Sequence, residues 1–250
     1  MRRIAVINQT GGVGKTAIAT GLGHALALAG KRVTMVDLDP RGRLAAAFGI
    51  FRAPSRGIDR VMLNGTTLGS VKMAVRDLLT LVPAGGGLPE MTQHREGAQA
   101  VHRLQQAIQG EFADQAFVIF DAPSQGGLLI ANAIFAADEV LIPVTGELQS
   151  LNGAAKTLLL LKRFEPYLSQ PPQVRMVQNR YRSRDRTAKA TQEKLQHHFG
   201  ELLMKSRIGD SAAVSECGAM GRTLFEYKPS GHSAREIRAL AEELLTDEPV

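Results

Sequence analysis

The chain of 250 residues contains a single cysteine, Cys217, and no run of about 18 consecutive apolar residues. One cysteine excludes an intrachain disulfide and any metal or redox site that needs several thiolates from one subunit. The lack of a long apolar run excludes a membrane-spanning helix. Internal repeats and a long linker rich in proline or serine are also missing, so we expect one domain over residues 1–250. These absences favour a cytoplasmic protein.

Short apolar runs alternate with segments of helical periodicity, a pattern typical of α/β proteins with a parallel sheet. Residues 52–77 show no clear period and are left unassigned. The predicted fold is therefore α/β, a mostly parallel twisted sheet with helices on both faces. Buried strands are predicted over residues 2–8, 32–38, 78–84, 116–122, 139–145 and 173–179. Helices are predicted over residues 15–30, 95–110, 150–164, 186–199 and 233–245.

A glycine-rich segment, which we call the glycine loop (residues 9–16), follows the first predicted strand and leads into the first predicted helix. Glycines allow successive backbone N–H groups to face phosphate oxygens, and the helix N-terminus adds the positive end of its dipole. Lys15 is expected to reach the β- and γ-phosphates, and Thr16 to place its hydroxyl on Mg²⁺. The predicted nucleotide-binding residues are Gly11, Gly12, Val13, Gly14, Lys15, Thr16 and Ala17.

Acidic residues follow two later strands. Asp37 and Asp39 lie in "VDLDPRG", and Asp121 ends the apolar strand in "FVIFDAPS". The carboxyl ends of parallel strands form the ligand-binding edge of an open α/β sheet, so we expect these acids near the glycine loop. Asp121 is suited to hold the water shell of Mg²⁺. An Asp-x-Asp-Pro sequence is also turn-like, so helix capping or loop solvation stays open for Asp37 and Asp39.

Taken in order, these three segments resemble the motifs of the ParA/MinD family of deviant Walker ATPases, over nearly the whole chain. The family's patterns are K-G-G-x-G-K-[ST], D-x-D-P-Q-G and an apolar strand ending D-x-P-P. The resemblance implies a P-loop NTPase fold that binds ATP and Mg²⁺. It implies that Asp39 positions or polarises the attacking water and that Asp37 supports the metal side, so that both join Lys15 as catalytic residues. It also implies that Asp121 holds the metal through water and that Asn179 lies near the adenine.

Position 10 departs from the family pattern. Thr10 replaces the lysine that crosses a two-fold interface onto the partner's phosphates, and a hydroxyl supplies a hydrogen bond but no charge. Another cation could substitute, the dimer could form with weaker nucleotide coupling, or the dimer cycle could be lost. We expect substitution by Lys156, because residues 136–158 resemble the segment that leads into the dimer-facing helix. A solvated helix lysine is the alternative for Lys156.

Residues 174–194 carry seven basic residues against two acidic ones, and the whole chain has a net charge of +6. Such a run is either a solvated face or a footprint for DNA phosphates. Family members bind DNA non-specifically as ATP-bound dimers, so the resemblance favours DNA. The acidic tail at 241–250 is unlike the basic membrane helix of MinD-type members, so no membrane partner is expected. The predicted DNA-contacting residues are Arg180, Arg182, Arg184, Arg186 and Lys189.

The leading hypothesis is thus a slow ATPase that forms an ATP-dependent homodimer, associates with the nucleoid and positions a cargo. A ParB-like protein or another cargo adaptor would stimulate hydrolysis to ADP and phosphate. The cargo could be a plasmid, a chromosome region or a protein assembly such as a carboxysome, since some carboxysome-positioning members also lack the lysine. The alternative is a metabolic ATP-dependent ligase of the dethiobiotin-synthetase or cobyrinate-amidating type, whose phosphate loops lack that lysine too.

Overall fold

The structure is a computed structural model that describes residues 1–93, 98–125, 127–182 and 188–247. Within these ranges it leaves the side chains of residues 92, 93, 98, 188, 189 and 191 undescribed. Eight strands form one sheet in the order β3-β4-β2-β5-β1-β6-β7-β8, in which β3 runs antiparallel to β4 and the other neighbours are parallel. The strands are β1 (Arg2–Val6), β2 (Val33–Asp37), β3 (Met73–Arg76), β4 (Leu79–Val82), β5 (Phe117–Asp121), β6 (Glu139–Val144), β7 (Gln173–Tyr181) and β8 (Leu203–Gly209).

All six predicted strands are confirmed, and two more are present. The predicted strands β1, β2, β4, β5, β6 and β7 lie inside the sheet, where both faces are covered and each strand contributes buried apolar residues. The two additional strands, β3 and β8, lie at its edges and mix apolar with charged residues. Edge strands pair along one side only, so their sequences carry a weaker apolar signal.

Helices cover both faces of the sheet. Four of the five predicted helices are confirmed, as α1, α7, α8 and α11, to within two residues at each end described by the structure. The helices are α1 (Lys15–Leu28), α2 (Arg43–Ala47), α3 (Ile58–Asn64), α4 (Leu88–Gln93), α5 (Arg103–Ala107), α6 (Gly127–Ala136), α7 (Leu148–Phe164), α8 (Ala188–Phe199), α9 (Ala212–Ala219), α10 (Leu224–Tyr227) and α11 (His232–Thr246). The unassigned residues 52–77 contain α3, a short 3₁₀ turn and β3.

The predicted helix over residues 95–110 is wrong in its continuity. Residues 98–102 form a 3₁₀ turn, α5 covers only Arg103–Ala107, and residues 94–97 lie outside the described part of the chain. The side chain of Asn132, buried on α6, accepts a hydrogen bond from the Leu104 N–H and donates one to the Ala100 carbonyl. A regular α-helix would pair those two backbone groups with each other. The tertiary contact with α6 therefore interrupts the helix.

The apolar core occupies both sides of the sheet. Alternate residues of β1 divide between the two faces, with Ala5 on one and Ile4 and Val6 on the other. Helices α3 to α8 pack on the first face, and α1, α2, α9, α10 and α11 pack on the second. Among the described residues, no helix has both the length and the apolar character that crossing a bilayer requires. The polar residues predicted for a site are thereby left at the carboxyl edge of the strands.

Candidate nucleotide site

The predicted acids and the glycine loop meet at the carboxyl edge of the central strands. Asp37 at the end of β2 is in register with Asp121 at the end of β5, and Asp121 is in turn in register with Val6 at the end of β1. The glycine loop leaves β1, whose neighbours are β5 on one side and β6 on the other. This is the crevice where ligands bind in open α/β sheets.

The backbone of the glycine loop needs glycine at two positions. Gly12 has a φ of 78° and Gly14 a φ of 91°, in the left-handed region that side chains disfavour. A Cβ on Gly14 would also overlap the side-chain amide of Asn179, which donates a hydrogen bond to the Val13 carbonyl at 2.8 Å. Helix α1 begins immediately afterwards at Lys15, so its unpaired N–H groups open toward the loop. The loop therefore has the form of an anion-binding turn.

Lys15 is held over the glycine loop. Its Nζ donates hydrogen bonds to the carbonyls of Asn8 (3.0 Å) and Thr10 (2.9 Å). Burial lowers the pKa of Lys15 to about 8, although the charges of Asp121 and Asp39 oppose this effect. The ammonium is thus placed at the loop by two backbone carbonyls, which an anionic ligand can replace.

Asp121 is a buried carboxylate without a hydrogen-bond partner of standard geometry for either oxygen among the described residues. Burial raises its pKa to about 7; the Thr16 hydroxyl lies close enough to lower the pKa, but without standard hydrogen-bond geometry. Two unpaired carboxylate oxygens beside a hydroxyl are the hard oxygen donors that Mg²⁺ prefers, directly or through water. The residues present fit the predicted magnesium site.

Asp37 caps a turn. Its two oxygens accept hydrogen bonds from the backbone N–H groups of Asp39 and Leu44, each at 3.0 Å. Burial raises its pKa well above the usual range, and the charge of Asp121 adds to that effect. The capping interpretation left open by the sequence therefore describes the contacts of Asp37, while its support of a metal stays a prediction.

Asp39 forms a bidentate ion pair with an arginine that was not among the predicted site residues. Arg41 donates from Nε to Oδ1 at 3.0 Å and from Nη2 to Oδ2 at 2.7 Å, and Arg43 Nη2 lies 3.9 Å from the same Oδ2. Burial would raise the pKa of Asp39, but the hydrogen bonds and charge of Arg41 outweigh it and lower that pKa. The available signal was the family pattern D-x-D-P-Q-G, in which Arg41 stands at the glutamine position.

A cleft of about 420 Å³ opens between the glycine loop and α9. Its volume lies in the range of small-molecule sites. Asn179, predicted near the adenine, forms part of its wall, so the structure brings it together with the loop residues. The side chains and backbone around the cleft include Gly12, Gly14, Lys15, Thr16, Ala17 and Asn179 from the predicted set, and also Arg43, Arg180 and Asp210.

Thr10 binds helix α7 of its own subunit. Its hydroxyl donates to the Gln149 carbonyl at 2.8 Å, and its N–H donates to the side-chain oxygen of Asn8 at 2.9 Å. Asn8, fully buried, donates to the carbonyls of Pro143 (2.9 Å) and Ser150 (3.3 Å). A Cβ on Gly153 would overlap the polar side-chain atoms of both Thr10 and Asn8. The loop and α7 are thus joined through contacts that helical periodicity alone could not reveal.

Lys156 lies on α7, one turn beyond Gly153, with its side chain exposed. Two large apolar side chains of the same helix are exposed as well, Leu148 at 72% and Leu159 at 68%. Large exposed apolar side chains on one helix are typical of a surface that another protein covers.

The predicted DNA residues are only partly described. Arg180 and Arg182 are exposed, and both face Asp210: Arg182 Nη2 lies 2.8 Å from Oδ2 and Arg180 Nε 4.0 Å from Oδ1. Arg180 also borders the cleft and has a left-handed φ of 55°. Arg184 and Arg186 lie outside the described residues, as does the side chain of Lys189. DNA contact by these five residues stays a prediction.

Comparison with known proteins agrees with this geometry. A family model described as an AAA domain matches residues 1–172. The chromosome-partitioning ATPase Soj of Thermus thermophilus is 35% identical over 248 residues, which cover 98% of this chain and 96% of that relative. The chain belongs to the ParA/MinD family of P-loop ATPases. The Soj relationship thus spans the glycine loop, the three acids and the C-terminal helix of this ParA/MinD protein.

Two solved structures extend the comparison. A putative plasmid partition protein of Borrelia burgdorferi, bound to AMPPNP, superposes with a TM-score of 0.85 at 16% identity, covering 99% of each chain. Cobyrinic acid a,c-diamide synthase of Mycobacterium smegmatis, with bound ADP and magnesium, superposes with a TM-score of 0.82 at 25% identity, covering 98% of this chain and 94% of that chain. Both confirm the predicted α/β P-loop fold. Since they differ in named activity, the fold alone does not choose between the two predicted functions.

Proposed function

We propose that this protein is a nucleotide-switched positioning ATPase whose residues 1–250 act as one domain. ATP brings two subunits together, the dimer holds nucleoid DNA without sequence preference, and a ParB-like or cargo-adaptor protein stimulates hydrolysis and release. The observation that supports it most is the meeting of Lys15, Thr16 and the unpaired carboxylate of Asp121 at one edge of the sheet. The 35% identity to a chromosome-partitioning ATPase favours positioning as the use of that site.

The glycine loop and Lys15 would bind the phosphates of ATP. The loop residues 11–17 offer backbone N–H groups, and Lys15 would exchange its two carbonyl partners for phosphate oxygens. Asn179, which contacts the glycine loop at the Val13 carbonyl and forms part of the cleft wall, would lie near the adenine. Thr16 would bind Mg²⁺ through its hydroxyl, Asp121 through water, and Asp37 would support them from its cap position. When bound, Mg²⁺ neutralises part of the charge on the phosphates.

Asp39 would position the attacking water. Its carboxylate lies two residues beyond the end of β2, and its charge acts on Lys15, which is expected at the γ-phosphate. Phosphoryl transfer depends on positioning and charge neutralisation more than on a strong base. A carboxylate of lowered pKa fits that role and fits a slow unstimulated rate. The products are ADP and phosphate.

The second subunit would cover α7. Thr10 is engaged with its own α7, so we propose Lys156 as the cation that reaches the partner's phosphates. The exposed side chains of Leu148 and Leu159 on the same helix would be buried on pairing. Lys156→Ala should then weaken ATP-dependent dimerisation, whereas Lys72→Ala, at an exposed lysine just before edge strand β3, serves as the control. Equal dimerisation in both variants would remove Lys156 from the interface.

Retention on DNA tests the proposed function. Protein with ATP and Mg²⁺ should stay on DNA of random sequence, elute with ADP, and lose affinity steeply as salt rises. Reversing the charges of Arg182, Arg184 and Arg186 should abolish retention, while the same reversal at the exposed Arg52, Arg56 and Arg60 changes net charge equally and should preserve it. Retention that ignores the nucleotide, or survives the first triple variant, contradicts the proposal.

The dependence of ATP turnover on a carboxylate substrate distinguishes the ligase alternative. The similarity to cobyrinic acid a,c-diamide synthase supplies a carboxylate substrate to try, cobyrinic acid. ATP turnover that requires this carboxylate and is indifferent to DNA would favour the ligase. A positioning ATPase should instead respond to DNA and to an adaptor protein.

A further inference from the structure

The proposed reaction leaves the arginine fork on Asp39 without a function. Arg41 occupies both carboxylate oxygens through Nε and Nη2, and its backbone N–H donates to Oδ1 at 3.0 Å as well. The same carboxylate is the proposed partner of the attacking water. While the fork is closed, three of the roughly four acceptor positions of the Asp39 carboxylate are taken by Arg41.

The two partners differ in their freedom to move. The Asp39 side chain is 4% exposed, whereas that of Arg41 is 54% exposed. Asp39 is buried in the turn that follows β2, and Arg41 reaches it from the exposed side of the same turn. An ion pair with a half-exposed, flexible cation is weakly held, so a stronger anion can capture the guanidinium.

The Asp39–Arg41 pair lies beside the cleft that would hold the phosphates, because Arg43, which borders the cleft, is close to Asp39. The neighbouring Arg43 borders the cleft together with Lys15 and Thr16. The positive charges of both arginines act to lower the pKa of Lys15, so both guanidinium groups lie within electrostatic reach of its Nζ. Arg43 also lies 3.9 Å from Asp39 Oδ2, so the carboxylate keeps a neighbouring cation if Arg41 departs.

We propose that Arg41 is a γ-phosphate ligand stored on Asp39. When ATP binds, the guanidinium moves from the carboxylate to the γ-phosphate, and Asp39 becomes free to accept a hydrogen bond from water. A phosphate offers the fork the same two-oxygen geometry with more negative charge. ADP has no γ-phosphate and leaves the fork closed. This inference rests on the proposed ATPase function and supplies, within one subunit, a positive charge at the phosphates where Thr10 has none.

The test compares affinities for AMPPNP and ADP by calorimetry, each with Mg²⁺. Arg41→Gln should weaken AMPPNP binding about tenfold or more and leave ADP binding nearly unchanged. The substitution removes a charge-assisted bidentate contact that only the γ-phosphate receives. Arg41→Lys should recover part of the loss, since it keeps the charge without the fork. Arg52→Gln removes an exposed arginine and changes the net charge by the same amount, and it should change neither affinity.

Storage on Asp39 has a separate signature. Asp39→Asn removes the fork's partner, so it should tighten AMPPNP binding, and by more in the presence of Arg41 than in the Arg41→Gln background. A simple loss of repulsion between Asp39 and phosphate would tighten binding equally in both backgrounds. Equal tightening overturns storage. A Lys variant as weak as the Gln variant overturns the contribution of the Arg41 charge to γ-phosphate binding.

The proposed ATPase function and the proposed role of Arg41 are overturned by different results. Wild-type protein that binds neither nucleotide overturns the proposed function. Wild-type protein that binds both, with an Arg41→Gln variant that keeps the wild-type ratio of AMPPNP to ADP affinity, overturns the role of Arg41 alone.

Discussion

Replacing Asp121 with asparagine should stabilise the nucleotide-free protein and impair its magnesium site. The wild-type carboxylate is buried, and neither oxygen has a hydrogen-bond partner of standard geometry among the described residues, so the isosteric amide breaks no such bond. Burial raises the pKa of Asp121 from its ordinary 3.8 to about 7. At 1.36 kcal/mol for each pH unit, ionising this group in the folded protein costs at most about 4 kcal/mol.

The sign of the pH dependence follows from proton linkage. Below pH 3.8 the group is protonated in both the folded and unfolded chain and contributes no difference. Between 3.8 and about 7 the unfolded chain releases the proton while the folded chain keeps it, which favours unfolding progressively. Above about pH 7 the penalty is constant. The stability gain of Asp121→Asn over wild type should therefore be small near pH 4 and grow to as much as about 4 kcal/mol at pH 8.

Urea unfolding from pH 4 to pH 8, without nucleotide or Mg²⁺, measures this difference. Asp77→Asn, at an exposed position in the β3–β4 turn, is the control and should give a difference that does not vary with pH. The same Asp121 variant should lose the tightening of nucleotide binding that Mg²⁺ causes. A gain in stability that is independent of pH, or Mg²⁺-dependent binding that survives, would refute the assignment of a desolvated carboxylate kept for the metal.

Three further substitutions probe contacts that the structure reveals. Gly153→Ala places a methyl group against the side chains of Thr10 and Asn8, which join the glycine loop to α7. It should destabilise the protein by about 1–3 kcal/mol and weaken nucleotide binding. Asn152→Ala, on the exposed side of α7, should do neither. Glu139→Gln removes the charge of a carboxylate that is 4% exposed and paired with two arginines, and should lower the free energy of unfolding in urea by about 3–5 kcal/mol. Asp138→Asn removes an exposed ion pair and should lower it by about 1 kcal/mol or less. Asn132→Leu orphans two buried backbone groups and should cost about 2 kcal/mol or more in the same assay.

Each of these has a contrary result. Unchanged nucleotide affinity in Gly153→Ala would show that the glycine loop tolerates displacement of Thr10 and Asn8. Equal losses at positions 138 and 139 would show that burial does not strengthen the dependence on Glu139. An unchanged free energy of unfolding in Asn132→Leu would mean that the turn before α5 forms without the hydrogen bonds of the Asn132 amide.

The central strands and the glycine loop were predictable because their signals are local. A strand such as Phe117–Asp121 is a continuous apolar run that ends in a polar residue, and the phosphate-binding turn is encoded by consecutive glycines, Lys15 and Thr16. The carboxyl-edge rule for parallel sheets then brought the acids to the loop. Edge strands β3 and β8 lacked that signal because they are only partly buried and mix polar with apolar residues.

The missed features depend on tertiary contacts. Asn132 interrupts a predicted helix from a different element, and its residue type gives no hint of the bridge. Asn8 connects the glycine loop to β6 and α7, more than 130 residues away. Arg41 is close to Asp39 in sequence, but its fork forms only because the turn after β2 aims it back at the carboxylate. Pairings of this kind follow from the folded backbone and not from periodicity.

The central claim is that ATP controls the pairing of two subunits. Sedimentation velocity of the full chain with AMPPNP and Mg²⁺, and then with ADP and Mg²⁺, measures this directly. We expect a species of twice the 26.9 kDa chain mass with AMPPNP and a monomer with ADP. One and the same mass with both nucleotides, whether monomer or dimer, would contradict the account.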